Sequence, residues 1–273
     1  MKSLFYKSLI VIFLFIGIFI IILSTTGYKT EKFNKTISNQ LVKDNKKISI
    51  QLDKIKFKFD LKSANLFLET KNPKLNYQNI EIPIKDVRVY LDFFSLLKSK
   101  PKINEIHISS KEIDINKLKK VIVKIKPSNF NSFIMNKVQK GKLLTNIEIY
   151  FGSDLIIKNF IARGEVKEMQ IQVSNNQKFK DISFNFFSDN SDILIKKIKT
   201  KTGGILINEG NLQIERKKNI IIKSNFFTSI DIGEKNNNNY LIYFKKFKLI
   251  KKEINVKGKL NHNLNFTLDK TFK

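Results

Sequence analysis

The sequence predicts a mainly β protein, with one N-terminal transmembrane helix followed by a long antiparallel sheet and a few short helices. Three observations carry this. Residues 9 to 23 read LIVIFLFIGIFIIIL, fifteen uncharged apolar positions in a row. From Lys47 onward apolar residues recur at every second position, the period of a half-buried strand. The joints between these runs are turn formers, and no glycine-rich turns alternate with helices, which argues against an α/β fold.

At the N-terminus, adding Leu4, Phe5 and Tyr6, with Lys7 free to snorkel, extends the apolar run to about 20 residues. At ~1.5 Å per residue this covers the ~30 Å hydrocarbon layer. Leu9, Ile12, Phe15, Phe19 and Leu23 mark the anchor. A cleaved signal peptide is the alternative, but Leu23-Ser24-Thr25-Thr26-Gly27 matches a small-residue cleavage site poorly. Lys2 and Lys7 on one side are balanced by Lys29, Lys32 and Lys35 on the other, offset by Glu31, so local charge hardly sets orientation. The short tail before the span makes the N-in arrangement the default, with the body outside.

Beyond the anchor, residues 30–44 place Phe33, Ile37 and Leu41 four apart, one helical face. Ile48, Ile50 and Leu52 alternate, the phase slips, and Ile55, Phe57, Phe59 and Leu61 resume it, which suggests a bulged strand. Alternation continues through Leu66 and Leu68, Ile80 to Ile84, and Val87 to Leu91, with Pro83 confined to an edge or bulge. Asp92 caps a short predicted helix, DFFSLLKS, that Pro101 stops. Strands follow at 103–108 and 113–115. Residues 116–125 can be helical up to Pro127, and 131–140 form a better helix with Gly141 as its cap. After Gly141 the chain reads as a meander: LLTNIEIYF, LIIKNFIARGEVKEMQIQV, FKDISFNFF, DILIKKIKT, GILI, NLQIE, NIIIKSNFF, YLIYFKKFKLI, EINVKGKL and NLNFTL. Its joints include Ser174-Asn175-Asn176, Asn208-Glu209-Gly210-Asn211 and the run Asn236 to Asn239. This gives an anchor at 1–27, a segment with short helices at 28–140 and a meander at 141–273.

Composition removes several function classes. The 273 residues include no Cys, which excludes disulfide scaffolds, cysteine nucleophiles and thiolate metal sites. Only His107 and His262 are present, so a multi-histidine metal cluster is not expected. The net charge of +27 comes from 51 basic residues, of which only Arg88, Arg163 and Arg216 are arginine. A reader of nucleic acid is rarely so poor in guanidinium groups, and the Phe residues lie on the strand face opposite the Lys, so nucleic acid is not an expected partner. The charge reflects solvated strand faces plus a salt-screened pull toward anionic headgroups. No phosphate-binding loop, dinucleotide turn or nucleophile elbow occurs. Gly152-Ser153-Asp154 reads as a turn, His107 and His262 as solvent-facing, and Glu165 and Glu168 as a solvated edge. The expectation is a non-enzyme without cofactor or metal.

The strands alternate Phe, Ile, Leu and Val with Lys, Asn, Ser and Asp, as in Ile182-Phe184-Phe186 against Ser183-Asn185. So long a greasy face must be covered. A closed sandwich or barrel does this with core side chains. A curved sheet that leaves an apolar trough does it with lipid tails. Alternation leaves both open.

The order of features is more specific. The span precedes ISNQLVKD, the strand pairs KISIQLDKIKFKFD and NIEIPIKDVRVYLD, the short DFFSLLKSK, and KINEIHISSKEIDI running into NKLKKVI. This resembles the start of the AsmA-like family, the AsmA, TamB and YhdP type of bridge-like lipid-transfer proteins. There, a Ser-Leu-Leu stretch leads into spaced isoleucines; here that stretch is Ser95-Leu96-Leu97 through Ile103, Ile106 and Ile108 to Ile113 and Ile115. IIKNFIARGEVKEMQIQV and GILINEGNLQIE are similar to the family's repeated strands. The resemblance covers most of the chain in weakly specific residues. It implies a single-pass inner-membrane protein whose bulk lies in the periplasm. Its long curved antiparallel sheet would form an open groove conducting phospholipid acyl chains toward the outer membrane, with outer-membrane or envelope assembly proteins as further partners. The implied groove residues are Phe57, Phe59, Val87, Val89, Ile106, Ile108, Ile149, Ile171, Val173, Phe184, Phe186, Ile205, Ile207, Ile214 and Ile222. Family members run longer; at ~4.8 Å per strand, ten to fifteen strands extend only about 50 to 70 Å. The competing expectation is an anchored assembly factor for envelope proteins, with a closed core and no lipid cargo.

Overall fold

The computed structural model describes residues 2–30, 48–52, 54–63, 65–92, 102–152, 156–174, 177–216, 219–233 and 255–269. The helices expected at 30–44 and 92–99, the asparagine run at 236–239 and the strand YLIYFKKFKLI lie almost wholly outside these residues.

Helix α1 (Lys2–Thr25) comes first. Strands β1 (Tyr28–Thr30), β2 (Ile48–Gln51), β3 (Ile55–Asp60), β4 (Asn65–Lys71), β5 (Lys74–Tyr77), β6 (Ile80–Leu91), β7 (Ile103–Ser110) and β8 (Ile113–Asp114) follow. Two short helices, α2 (Ile115–Ile122) and α3 (Asn129–Lys137), precede β9 (Val138–Phe151), β10 (Ile157–Ser174), β11 (Gln177–Ser188), β12 (Asp192–Thr202), β13 (Ile205–Arg216), β14 (Ile220–Ile232) and β15 (Val256–Leu268). The strands form one large open antiparallel sheet, in the order β1-β3-β4-β6-β7-β9-β10-β11-β12-β13-β14-β15, with β2 on β5, β5 on β6 and β8 on β9. The fold is mainly β, as the alternation predicts.

Several local expectations change. The phase slip after Leu52 is a break between two strands: β2 pairs β5, whereas β3 pairs β4. The segments GILI and NLQIE form the single strand β13, and the joint expected at Asn208 to Asn211 is a register shift within it. The segments NVKGKL and NLNFTL likewise form one strand, β15. Gly141 is not a helix cap. Val138, almost wholly buried, turns extended directly after α3, and Gly141 lies inside β9.

The chain forms two compact units, residues 1–110 with 148–159, and 111–147 with 160–273. The first is built on rungs of apolar side chains aligned across four strands. Phe57, Leu68, Val89 and Ile106 are successive cross-strand partners, flanked by the rungs Ile55-Thr70-Val87-Ile108 and Phe59-Leu66-Leu91-Ile103. A second, smaller layer covers this face. β6 pairs β5 over Ile80 to Pro83 and then passes to β4 and β7, so Pro83 marks the point where the strand changes partners. Leu52, Leu75 and Ile82 from that layer pack onto the cluster of Ile55, Leu68, Ile84, Val87, Val89, Leu91 and Ile106.

The second unit is a meander from β10 to β15 with α2 and α3 packed at its start. Asp114 caps α2 by accepting the Asn116 N–H at 2.7 Å, and Ser128 caps α3 by accepting the Asn131 N–H at 3.1 Å. Ile115, Ile122, Ile134 and Val138 form the core between helices and sheet, joined by Met169 and Ile171 of β10.

Candidate functional site

α1 contains 21 residues, Phe5–Thr25, long and apolar enough to cross a membrane; a signal sequence passes the same test. Leu9, Ile12, Phe15 and Phe19 project outward, whereas Leu23 is only 6% exposed. Near the helix end the Ser24 and Thr25 hydroxyls donate to the Ile20 and Ile21 carbonyls, so neither needs water. The Thr26 and Gly27 N–H groups both donate to the Ile22 carbonyl, and Gly27 takes φ 70°, the left-handed stop favoured by glycine. A Cβ there would lie 2.9 Å from the Phe57 carbonyl. Tyr28 then pairs with Phe57, so the apolar helix runs into the β1 edge of the sheet with a two-residue joint.

The proposed groove residues fall into separate groups. Val87, Val89 and Ile106 are buried inside the first unit's core and so sealed by the protein's own side chains, while Phe57 and Ile108 are half-buried and pack against it. Phe59 and Ile149 in that unit are half-buried. In the second unit Ile171 lies under the α2–α3 core, while Val173 is 44% exposed. Phe184, Phe186, Ile205, Ile207, Ile214 and Ile222 share one face of the meander, and all are half-buried. Sequence reasoning missed neighbours on that face. One rung runs Gly164-Phe186-Ile195-Leu212-Ser224-Leu264, and the next runs Ile193-Ile214-Ile222-Phe266. On β15 this face leaves Val256, Leu260, Leu264 and Phe266 exposed, the last at 51%.

Two features shape this surface. Glu168, Asp181 and Lys197 have positive φ in the successive strands β10, β11 and β12, next to register shifts. Bulges of this kind bend strands and reverse the side-chain phase, so Met169 and Phe179 stay on the apolar face. Two glycines also admit aromatic rings. A Cβ on Gly164 would lie 2.9 Å from the Phe186 ring and strike the Leu144 carbonyl; one on Gly210 would strike the Phe226 ring and lie 3.2 Å from the Ile198 Cβ. The rings therefore occupy the space that a side chain at either glycine would need.

The opposite face of the meander is mostly polar, with Leu194, Leu206 and Phe227 set among its asparagines and lysines. Asn211, Asn225 and Asn263 are cross-strand partners, and with Gln213, Lys223, Leu194, Leu212 and Leu264 they line a shallow depression of about 420 Å³. Ion pairs tie it at Lys167–Glu165 (3.0 Å), Lys223–Glu215 (3.0 Å) and Lys257–Asp231 (3.3 Å). Glu165 and Glu168 thus face separate lysines, Lys167 and Lys142. His262 pairs with Phe226 on the apolar face, not on the solvated side expected of it.

In the first unit the other face of the sheet carries a charged and aromatic network around the buried Phe67, Glu69 and Tyr90. Glu69 lies between Lys58 (2.7 Å) and Arg88 (3.3 Å), and Phe67 stacks on Tyr90 at 5.1 Å. His107 packs on Tyr90 and pairs with Glu105 at 3.2 Å. Burial pushes the Glu69 carboxyl up, but the Lys58 hydrogen bond and the charges of Lys58, Arg88 and Lys71 outweigh it and hold the group below its usual range. Burial raises the Tyr90 hydroxyl above its usual value. Among the described residues no group of three or more His, Cys, Asp or Glu could hold a metal ion.

No family model matches the chain, and no curated protein or solved structure is significantly similar to it.

Proposed function

We propose that the protein is an anchored lipid-binding and lipid-transfer protein of the cell envelope, in which the apolar face of the second unit takes phospholipid acyl chains. The observation that carries this reading is the half-exposed state of that face. Its rungs are aliphatic and aromatic across β11 to β15, yet none of the proposed groove residues there is sealed. A continuous apolar face that the protein leaves partly uncovered, with Leu260, Leu264 and Phe266 exposed at its β15 end, supports a binding role. Each methylene buried against it contributes about 0.8 kcal/mol. Such contacts are non-directional and repeat from rung to rung, so a tail can slide along the face without a deep trap. The resemblance to AsmA-like proteins supports the same reading and adds its setting: an anchor in the inner membrane, the body in the periplasm, and phospholipid moving toward the outer membrane.

The test uses the full chain purified in mild detergent. Mass spectrometry is expected to find stoichiometric phospholipid. A photo-crosslinking residue at Phe184 or Ile207 is expected to capture it, and one at Lys223 on the polar face is not. Absence of lipid together with absence of crosslinks overturns the reading in favour of an anchored assembly factor without lipid cargo.

A further inference from the structure

The joint between α2 and α3 combines two properties that soluble surfaces seldom combine. The first is exposed apolar bulk. Val123 is 63% exposed and Phe130 69%, and Ile125 and Phe133 are exposed beside them. Phe130 and Phe133 stand three apart on α3 and both stay exposed, although Ile134, four residues from Phe130, reaches the core. The second is unopposed positive charge. From residue 115 to 140 the chain carries seven lysines and no Asp or Glu. The nearest acids before this stretch are already engaged: Asp114 caps α2, and Glu112 pairs with Lys142 at 3.5 Å.

The joint is also held in shape. The Lys124 and Ile125 N–H groups donate to the Val121 and Ile122 carbonyls, each at 3.0 Å. The Asn131 side-chain amide donates to the Lys126 carbonyl at 2.9 Å, tying the start of α3 to the end of the turn. The apolar side chains are therefore presented on an ordered turn anchored by Ile115, Ile122, Ile134 and Val138.

We propose that the α2–α3 turn is a docking surface for an anionic phospholipid bilayer. Val123, Ile125, Phe130 and Phe133 enter the boundary between headgroups and acyl chains, and Lys119, Lys120, Lys124 and Lys126 lie against the lipid phosphates. Aromatic and aliphatic side chains ringed by lysine are the composition that binds such interfaces, and lysine stems reach along the apolar part while their ammonium groups stay at the phosphates. The charge selects the partner: a protein surface of mixed sign gives an all-lysine rim little to pair with, whereas an anionic leaflet pairs with every one. This surface uses none of the residues proposed to hold acyl chains, and the inference stands whether or not the apolar face of the strands carries lipid.

The chain has no cysteine, so Phe130→Cys offers a single site for an environment-sensitive dye. The labelled full chain is held in nanodiscs of neutral phosphatidylcholine and mixed with vesicles of phosphatidylcholine, with or without phosphatidylglycerol. The expected result is a blue shift and quenching by chain-borne nitroxide only with the anionic vesicles, weakening as salt rises. Each lysine near the surface is worth roughly fivefold in affinity. The variant K119Q/K120Q/K124Q/K126Q, which leaves the α2–α3 core untouched, is therefore expected to bind anionic vesicles about a hundredfold or more weakly. A dye that stays water-like with both vesicles in a natively folded chain overturns the proposal. So does an equal response to neutral lipid, in the disc or in vesicles. A shift that follows protein concentration without vesicles assigns the surface to self-association and also overturns it.

Discussion

The two units use the same strand grammar and finish their apolar faces differently. In the first, β6 changes partners at Pro83, and the resulting small layer brings Leu52, Leu75 and Ile82 over the rungs of β3, β4, β6 and β7. Ile55 there is 1% exposed. In the second, no such switch occurs among the described strands; β10 to β14 each pair in turn with the next, and the two helices reach only Met169 and Ile171. Rungs of similar chemistry are therefore core in the first unit and, beyond the helix-covered end where Ile182 is 6% exposed, only half-buried in the second. Alternating sequence makes an apolar face, and connectivity decides whether the protein itself covers it.

The largest expected effect tests the sealed side. Leu68→Ala leaves a cavity where Phe57, Leu68 and Val89 meet, with an expected loss of about 2–5 kcal/mol in the denaturant-unfolding free energy of the detergent-solubilised full chain. The matched change Ile207→Ala on the half-exposed face is expected to lose less than about 1.5 kcal/mol, since only part of its transfer free energy is realised. Equal losses break the comparison.

The next effect concerns the glycine contacts of the open face. Gly210→Ala forces the Phe226 ring aside, an overpacking with an expected loss of about 1–3 kcal/mol. Adding Phe226→Leu, which removes the ring, is expected to recover part of that loss. No recovery means that the glycine serves the backbone and not the ring.

How much of this could be read from the chain depends on how locally each feature is encoded. The apolar helix, the two short helices before β9 and most strand positions follow from short windows, so LIVIFLFIGIFIIIL and alternations such as Ile182-Ser183-Phe184-Asn185-Phe186 were legible, whereas the caps Asp114 and Ser128 were not singled out. The partition of groove residues was not. Val89 and Ile207 have the same strand signature, and what separates them is a layer formed by β2 and β5, a long-range pairing that no periodicity records. Bulges obscured the rest. With Glu168, Asp181 and Lys197 in left-handed conformation, the phase reverses in mid-strand, so Ile193 and Ile195 join the apolar face only once the register is known. Asn208 to Asn211 has turn composition yet continues a strand, because Gly210 lies against Phe226 and Asn208 donates to the Ser229 hydroxyl at 2.7 Å.

A smaller effect lies at the buried Glu69 of the first unit. Lysine and arginine neighbours hold the Glu69 carboxyl below its ordinary value of 4.5 in the folded chain. A carboxyl lowered on folding stabilises above its unfolded value, and that contribution fades as pH falls through the folded value. The unfolding midpoint is thus expected to fall as the pH drops below about 4.5, and Glu69→Gln is expected to flatten this decline while lowering stability at neutral pH. A variant whose profile still falls as steeply shows that another carboxylate governs it.

The smallest expected effect on stability falls on the open face and bears most directly on the difference between the units. Leu264 is 46% exposed on β15, aligned with Ser224 and Leu212. Leu264→Ser removes apolar surface that the protein only partly buries, so the unfolding free energy is expected to change by less than about 0.5 kcal/mol. If acyl chains cover this face, the same change removes part of their contact, and retained phospholipid is expected to fall measurably by mass spectrometry at unchanged stability. In the first unit the two readouts cannot separate, because Val89 meets only the protein. A Leu264→Ser chain that loses several kcal/mol would mean that the second unit also covers this face with its own residues, and the two units would then differ in degree and not in kind.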